Sequence, residues 1–191
     1  MLNRKDFLIQ IGATGLVATV APCCAAAAEL SAAEGTPIDR RMTFAQTWAK
    51  RMMDNVDAEL DETTRKRLLQ ANGRACFLGS NEHNQFQGGV DAFIEQIRKW
   101  VKGGPMPIRR EGDVVYFDYT QNPAGLKVAD GWCLCPLVER GPAGLSGTFC
   151  ECSVGYVRQM FTEIAGKPVR VELLESLKRG GRGCRFRIDL A

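Results

Sequence analysis

At 191 residues, 45% hydrophobic and 25% charged, the chain is long enough for one domain with a full core and has an ordinary globular composition. A net charge of +3 is too small for bulk electrostatics to argue for a nucleic-acid partner. His83 is the single histidine, which excludes His-x-x-x-His metal sites and leaves any histidine-based catalysis to that one residue.

The chain opens on MLNRKDF, a short basic stretch. The apolar run FLIQIGATGLVATVA follows, and then PCCAAAAEL with its small-residue cleavage sites. The apolar run is about 15 residues, short of the ~20 that span a bilayer. Residues 1–28 therefore read as an export signal cleaved near Ala28, with no stable membrane span afterwards. Asn3-Arg4-Lys5-Asp6-Phe7-Leu8 resembles the twin-arginine export signal, with Lys5 in place of the second arginine. That resemblance implies the export machinery as a partner and a periplasmic or otherwise exported product. An ordinary secretory signal is the alternative. Cys23 and Cys24 raise the question of a lipid anchor, although Pro22 stands where a small residue should precede the modified cysteine.

Residues 29–40 read as a flexible polar lead, and 41–191 as a single domain. Phe44, Trp48, Met52 and Val56 recur every four residues and predict an amphipathic helix. Asp61 can cap a second helix through about Ala71, stopped near Gly73. After the polar loop SNEHNQFQGG, a third helix is expected over 91–102, with Phe93, Ile94, Ile97, Trp100 and Val101 on one side; Gly103-Gly104-Pro105 ends it. The period then changes. DVVYFDYT predicts a strand, and GWCLCPLV another, ending near Pro136. Ser153 can cap a helix striped by Val154, Val157, Phe161 and Ile164, closed by Gly166 and barred from continuing by Pro168. PVRVELLESL and CRFRIDL predict two strands joined through KRGGRG as a hairpin. The class is α+β, with N-terminal helices followed by an antiparallel sheet interrupted by one helix.

Six cysteines remain after cleavage: Cys76, Cys133, Cys135, Cys150, Cys152 and Cys184. Two Cys-x-Cys pairs flank a Gly/Pro-rich loop. An even count in an exported protein makes disulfides a serious option. Metal binding and plain burial or reactivity are the others. Strand alternation would put Cys133 and Cys135 on one face, and Cys184 with Phe186 and Ile188 in the core. Cys150 and Cys152 precede a helix, whose N-terminus favours thiolates. The expectation is that Cys133, Cys135, Cys150 and Cys152 converge on one metal, zinc first and an iron–sulfur cluster second. Cys184 and Cys76 stand behind them as further ligands. Alternation also places Glu175 inward with Val169, Val171, Leu173 and Leu177, where a carboxylate needs a partner, a metal or a raised pKa.

NGRACF, EGDVVYFDY, CLCPLV, FCECSVGYVRQMF and GKPVRVELLESLKRGGRGCRFRI together resemble an uncharacterised exported bacterial family. Its members carry Cys-Gly-Arg-x-Cys, Cys-x-Cys-Pro-Leu, Cys-x-Cys-Ser-x-Gly and a final Gly-x-x-Cys-x-Phe. Asn72 stands where the first of those cysteines would be. The C-terminal third is similar, more distantly, to ligand-binding domains of the 4-vinyl-reductase type. That implies a small-molecule ligand and a zinc held by cysteines and a glutamate, with Cys184 matching the closing cysteine. Ser176 departs from the pattern after Glu175. A looser similarity to L-2-amino-thiazoline-4-carboxylic acid hydrolases implies hydrolysis. Three functions compete: a metal- and ligand-binding domain; a metal- or thiol-dependent hydrolase with Glu175 as proton acceptor; and a disulfide-stapled structural or interaction module.

Overall fold

The computed structural model describes residues 37–86, 88–101, 105–118, 133, 135–138 and 144–191, all within the unit Gly35–Ala191. The expected leader, most of the lead and the centre of the loop between the Cys-x-Cys pairs lie outside the described residues. Four helices, α1 (Pro37–Glu59), α2 (Glu62–Leu78), α3 (Gly89–Trp100) and α4 (Glu151–Ala165), accompany four strands, β1 (Ile108–Glu111), β2 (Val114–Asp118), β3 (Arg170–Glu175) and β4 (Arg185–Asp189). The strands form one antiparallel sheet in the order β1-β2-β4-β3, and α4 lies in the connection from β2 to β3. This is the expected α+β arrangement.

Alternation along the strands sorts the sheet into two faces. One carries Ile108, Val115, Phe186 and Ile188, all buried, and packs with the stripe Val154, Val157, Phe161 and Ile164 of α4. Val90, Phe93 and Ile97 of α3 complete this core. Phe161 lies edge-on to Phe93 and Phe117, at 5.9 and 5.6 Å. Burying such a ring contributes about 1.5–3 kcal/mol over leaving it exposed. The other face carries a charged ladder. Arg187 bonds Asp189 at 2.7 Å, Arg185 reaches Glu175 at 3.2 Å, and Arg109 stacks 4.0 Å over Tyr116.

Several expectations change. The first helix forms, but from Pro37, and three of its four predicted stripe residues point outward: Phe44, Trp48 and Met52 are 67%, 51% and 44% exposed, while Val56 is partly buried. Ala49 and Met53, one position on, are the buried residues, because they meet Leu69, Val138 and Leu145 in a second, smaller core. Asp61 does cap α2, accepting a hydrogen bond from the Thr64 N–H at 3.0 Å. The helix, however, runs through Gly73 to Leu78. Strand β1 was not foreseen. In the stretch read as the strand GWCLCPLV, the described residues hold no strand but a 3-10 turn over Pro136–Val138. Helix α4 starts two residues before Ser153, continuing a 3-10 turn over Gly147–Cys150 that Ser146 caps.

Gly73 decides how far α2 extends because it is a contact point and not a stop. A Cβ on Gly73 would stand 1.8 Å from the Cys152 carbonyl oxygen, and one on Gly155 would stand 1.9 Å from that of Gln70. Two glycines thus let the backbones of α2 and α4 touch where they cross. A glycine inside a helix costs about 1 kcal/mol in propensity relative to alanine, which the close approach offsets through packing.

Candidate functional site

The crossing of α2 and α4 organises the cysteines. Cys76 comes from α2, Cys133 and Cys135 from the segment leading into the 3-10 turn, Cys150 and Cys152 from the start of α4, and Cys184 from just before β4. None is in a disulfide. Cys133, Cys135 and Cys152 pack against the smaller core, beside Phe149; Cys184 packs against the larger one. On α2, Asn72 stands one helical turn from Cys76, and its side-chain amide donates to the Cys152 Sγ at 3.6 Å.

Burial dominates the electrostatics of these thiols. It pushes Cys152 up to about 11; the Asn72 hydrogen bond opposes this, while Cys135, Cys76 and Cys133 push it further. Burial likewise raises Cys184 to about 11, against the Leu177 N–H and helped by Cys150 and Cys133. Cys135 is raised by burial, with the Leu137 and Val138 N–H groups favouring its thiolate and Cys76 disfavouring it. Cys150 is raised by burial, opposed by Ser176 and Arg179 and reinforced by Cys133. The pull of the α4 N-terminus on its thiols is therefore outweighed by desolvation. Cys152 thus feels Cys135, Cys76 and Cys133, and Cys184 feels Cys150 and Cys133. Among the described residues, no three His, Cys, Asp or Glu side chains are placed to hold a metal ion as they stand.

Two buried polar residues, Glu151 and Ser176, support this region. Glu151, between the cysteines of the second pair, is 6% exposed. It accepts from the Gln70 amide of α2 at 2.8 Å and pairs with Arg179, from the β3–β4 connection, at 2.9 Å. It anchors the start of α4 to both neighbours and so positions Cys150 and Cys152. A carboxylate in the first turn of a helix was the available signal. Ser176 is 1% exposed; its hydroxyl has no hydrogen-bond partner at ordinary distance and lies beside Cys150.

Glu175 does not face the core. A register break between Leu173 and Glu175 reverses the alternation, so Glu175 lies opposite Arg185 on the charged face. Its oxygens take Arg185 and the Arg182 N–H, the latter at 2.6 Å. His83 pairs with Glu163 at 2.8 Å and lies edge-on to Phe77. Arg74, next but one to Cys76, donates to Gln159 of α4 at 3.0 Å. Tyr156 packs edge-on to Phe77 at 5.3 Å and donates to Glu82 at 2.9 Å.

Fold and site together define an α+β domain with a half-buried cluster of cysteines at a glycine-mediated helix crossing. Residues 28–191 match the family of unknown function DUF6144, and the chain belongs to it. No curated protein matches it.

Proposed function

We propose that this chain is an exported domain that holds a metal ion, zinc before an iron–sulfur cluster, through its clustered thiolates, beside a site for a small molecule. The observation that carries this reading is the packing of Cys133, Cys135 and Cys152 against one small core, with Cys150 and Cys184 under the electrostatic influence of Cys133. Cys133, Cys135, Cys150 and Cys152 would be the ligands, with Cys184 and Cys76 next to them. Soft thiolates suit zinc, and four of them suit its tetrahedral preference. Two of these positions carry groups that favour thiolate: backbone N–H groups at Cys135, and the Ser176 hydroxyl with Arg179 at Cys150. The sulfurs would have to draw closer than they stand. When bound, the ion would neutralise thiolates that burial otherwise keeps protonated, closing the loop between the two pairs at an apparent gain on the order of 10 kcal/mol. The export part rests on the leader residues; the family match begins at residue 28, where that leader would end. The engagement of Glu175 by Arg185 and Arg182 lends no support to a hydrolytic version.

Metal content and a free-thiol count on protein exported natively and purified without chelator test the reading. About one zinc per chain is expected for a single four-thiolate site. Cys135→Ser and Cys150→Ser should each release metal and lower the melting temperature together. Full metal content with unchanged melting in both variants sinks the four-cysteine site. Three disulfides and no metal would replace it with the stapled module.

A further inference from the structure

On another side of the same helix crossing, α2 and α4 form an open groove of about 580 Å³. Four cations line it: Lys66, Arg67 and Arg74 from α2 and Arg158 from α4; among the described residues, no carboxylate does. Gly155 also lines it, so part of its wall is bare backbone. Arg158 donates to the Gln70 side-chain oxygen at 2.9 Å and Arg74 to that of Gln159 at 3.0 Å. Neutral amides therefore hold both guanidinium groups without cancelling their charge. Among the described residues, Arg67, Arg74 and Arg158 have no carboxylate at ion-pair distance, and only Lys66 is paired, with Glu62 at 2.5 Å. Gathering like charges on adjoining helix faces is unfavourable by itself. Among the described residues, no ion pair offsets it at Arg67, Arg74 or Arg158.

We infer that this groove is a binding site for a small polyanion carrying phosphate or carboxylate oxygens. The guanidinium fork matches both kinds of oxygen pair, and several arginines in one groove favour a ligand with at least two negative charges. The volume lies within the range of small-molecule sites, while a polar, cationic lining disfavours an apolar ligand. Amide-held arginines are partly pre-ordered, which lowers the entropy lost on binding. None of these residues belongs to the thiol cluster, so the inference does not depend on the metal.

Calorimetric titration of the whole protein with pyrophosphate and with citrate at low ionic strength tests it. Saturable binding of either is expected, weakening with salt and by about tenfold or more in Arg74→Gln/Arg158→Gln. Arg67→Gln, which removes no hydrogen bond or ion pair seen among the described residues, should weaken binding in the same direction. Arg109→Gln, an equal charge loss on the sheet's charged face, should leave it unchanged. Preference for pyrophosphate assigns a phosphate ligand, preference for citrate a polycarboxylate. Metal content should be the same in all four proteins, which separates this result from the thiol site. No saturable binding of either probe, or binding weakened equally by Arg109→Gln, overturns the inference.

Discussion

Gly155 lies where α2 and α4 are closest, and its hydrogen is all the space allows. A methyl group there would meet the Gln70 carbonyl at 1.9 Å. The neighbour is backbone inside a helix and cannot swing away, so the helices must part. Gly155→Ala is expected to cost about 3 kcal/mol, at the upper end of ordinary overpacking. A denaturant midpoint equal to that of the parent would show that the crossing is looser than described. The same displacement would carry Cys152 away from Asn72. Glu151 works at this scale too, because a carboxylate so buried is tolerated only through Gln70 and Arg179.

Helix α2 contributes one side of the crossing, and its start depends on Asp61. The Asp61 carboxylate accepts from the Thr64 N–H and from the Thr64 hydroxyl at 2.6 Å, which satisfies an otherwise free donor of the first turn. Asp61→Ala should lower the denaturant midpoint, as removal of an N-cap usually does. Chemical denaturation measures this, and a change within error would mean that tertiary packing alone sets where α2 begins. On the sheet, the break in register at β3 is the element that matters most. It turns Glu175 from the helix-covered face to the charged one and leaves it an ion pair with Arg185.

For the molecule as a whole, the buried thiols link stability to pH. The folded pKa values of Cys152 and Cys184 are raised from an ordinary 9.0 to about 11. An acid whose folded pKa is raised contributes stability below its unfolded pKa and loses it as pH climbs through the folded one. Burial raises Tyr156 in the same direction. Reduced, metal-free protein should therefore lose stability as pH rises from about 9 to about 11. Melting curves across that range check this, and a flat profile would contradict the burial of these groups. The proposed metal would act in the opposite sense, because thiolates must lose protons to bind it; affinity for it would rise with pH up to neutrality and beyond. Competition with a colorimetric chelator at two pH values reads this directly.

The sequence by itself determined the class of fold, the cap at Asp61, the stripe and end of α4, and the hairpin of β3 and β4. Each rests on a local rule: periodicity, capping chemistry, or a glycine that must take a left-handed turn, as Gly166 does with φ of 67°. It also marked the cysteines as the residues to watch. Only the tertiary structure decided which face of α1 is buried, because Phe44, Trp48 and Met52 form as good a stripe as Ala49 and Met53 until the neighbours are in place. It decided that Gly73 and Gly155 are contacts and not breaks, since close approach of two backbones leaves no signal in either segment alone. It likewise brought Cys76 and Asn72 toward a helix nearly eighty positions further along the chain, and gathered Lys66, Arg67, Arg74 and Arg158 along one groove. Spacing within a segment reports the faces of that segment. Which faces meet follows from the packing of the whole chain, where burial and backbone shape select one arrangement among several that local pattern permits.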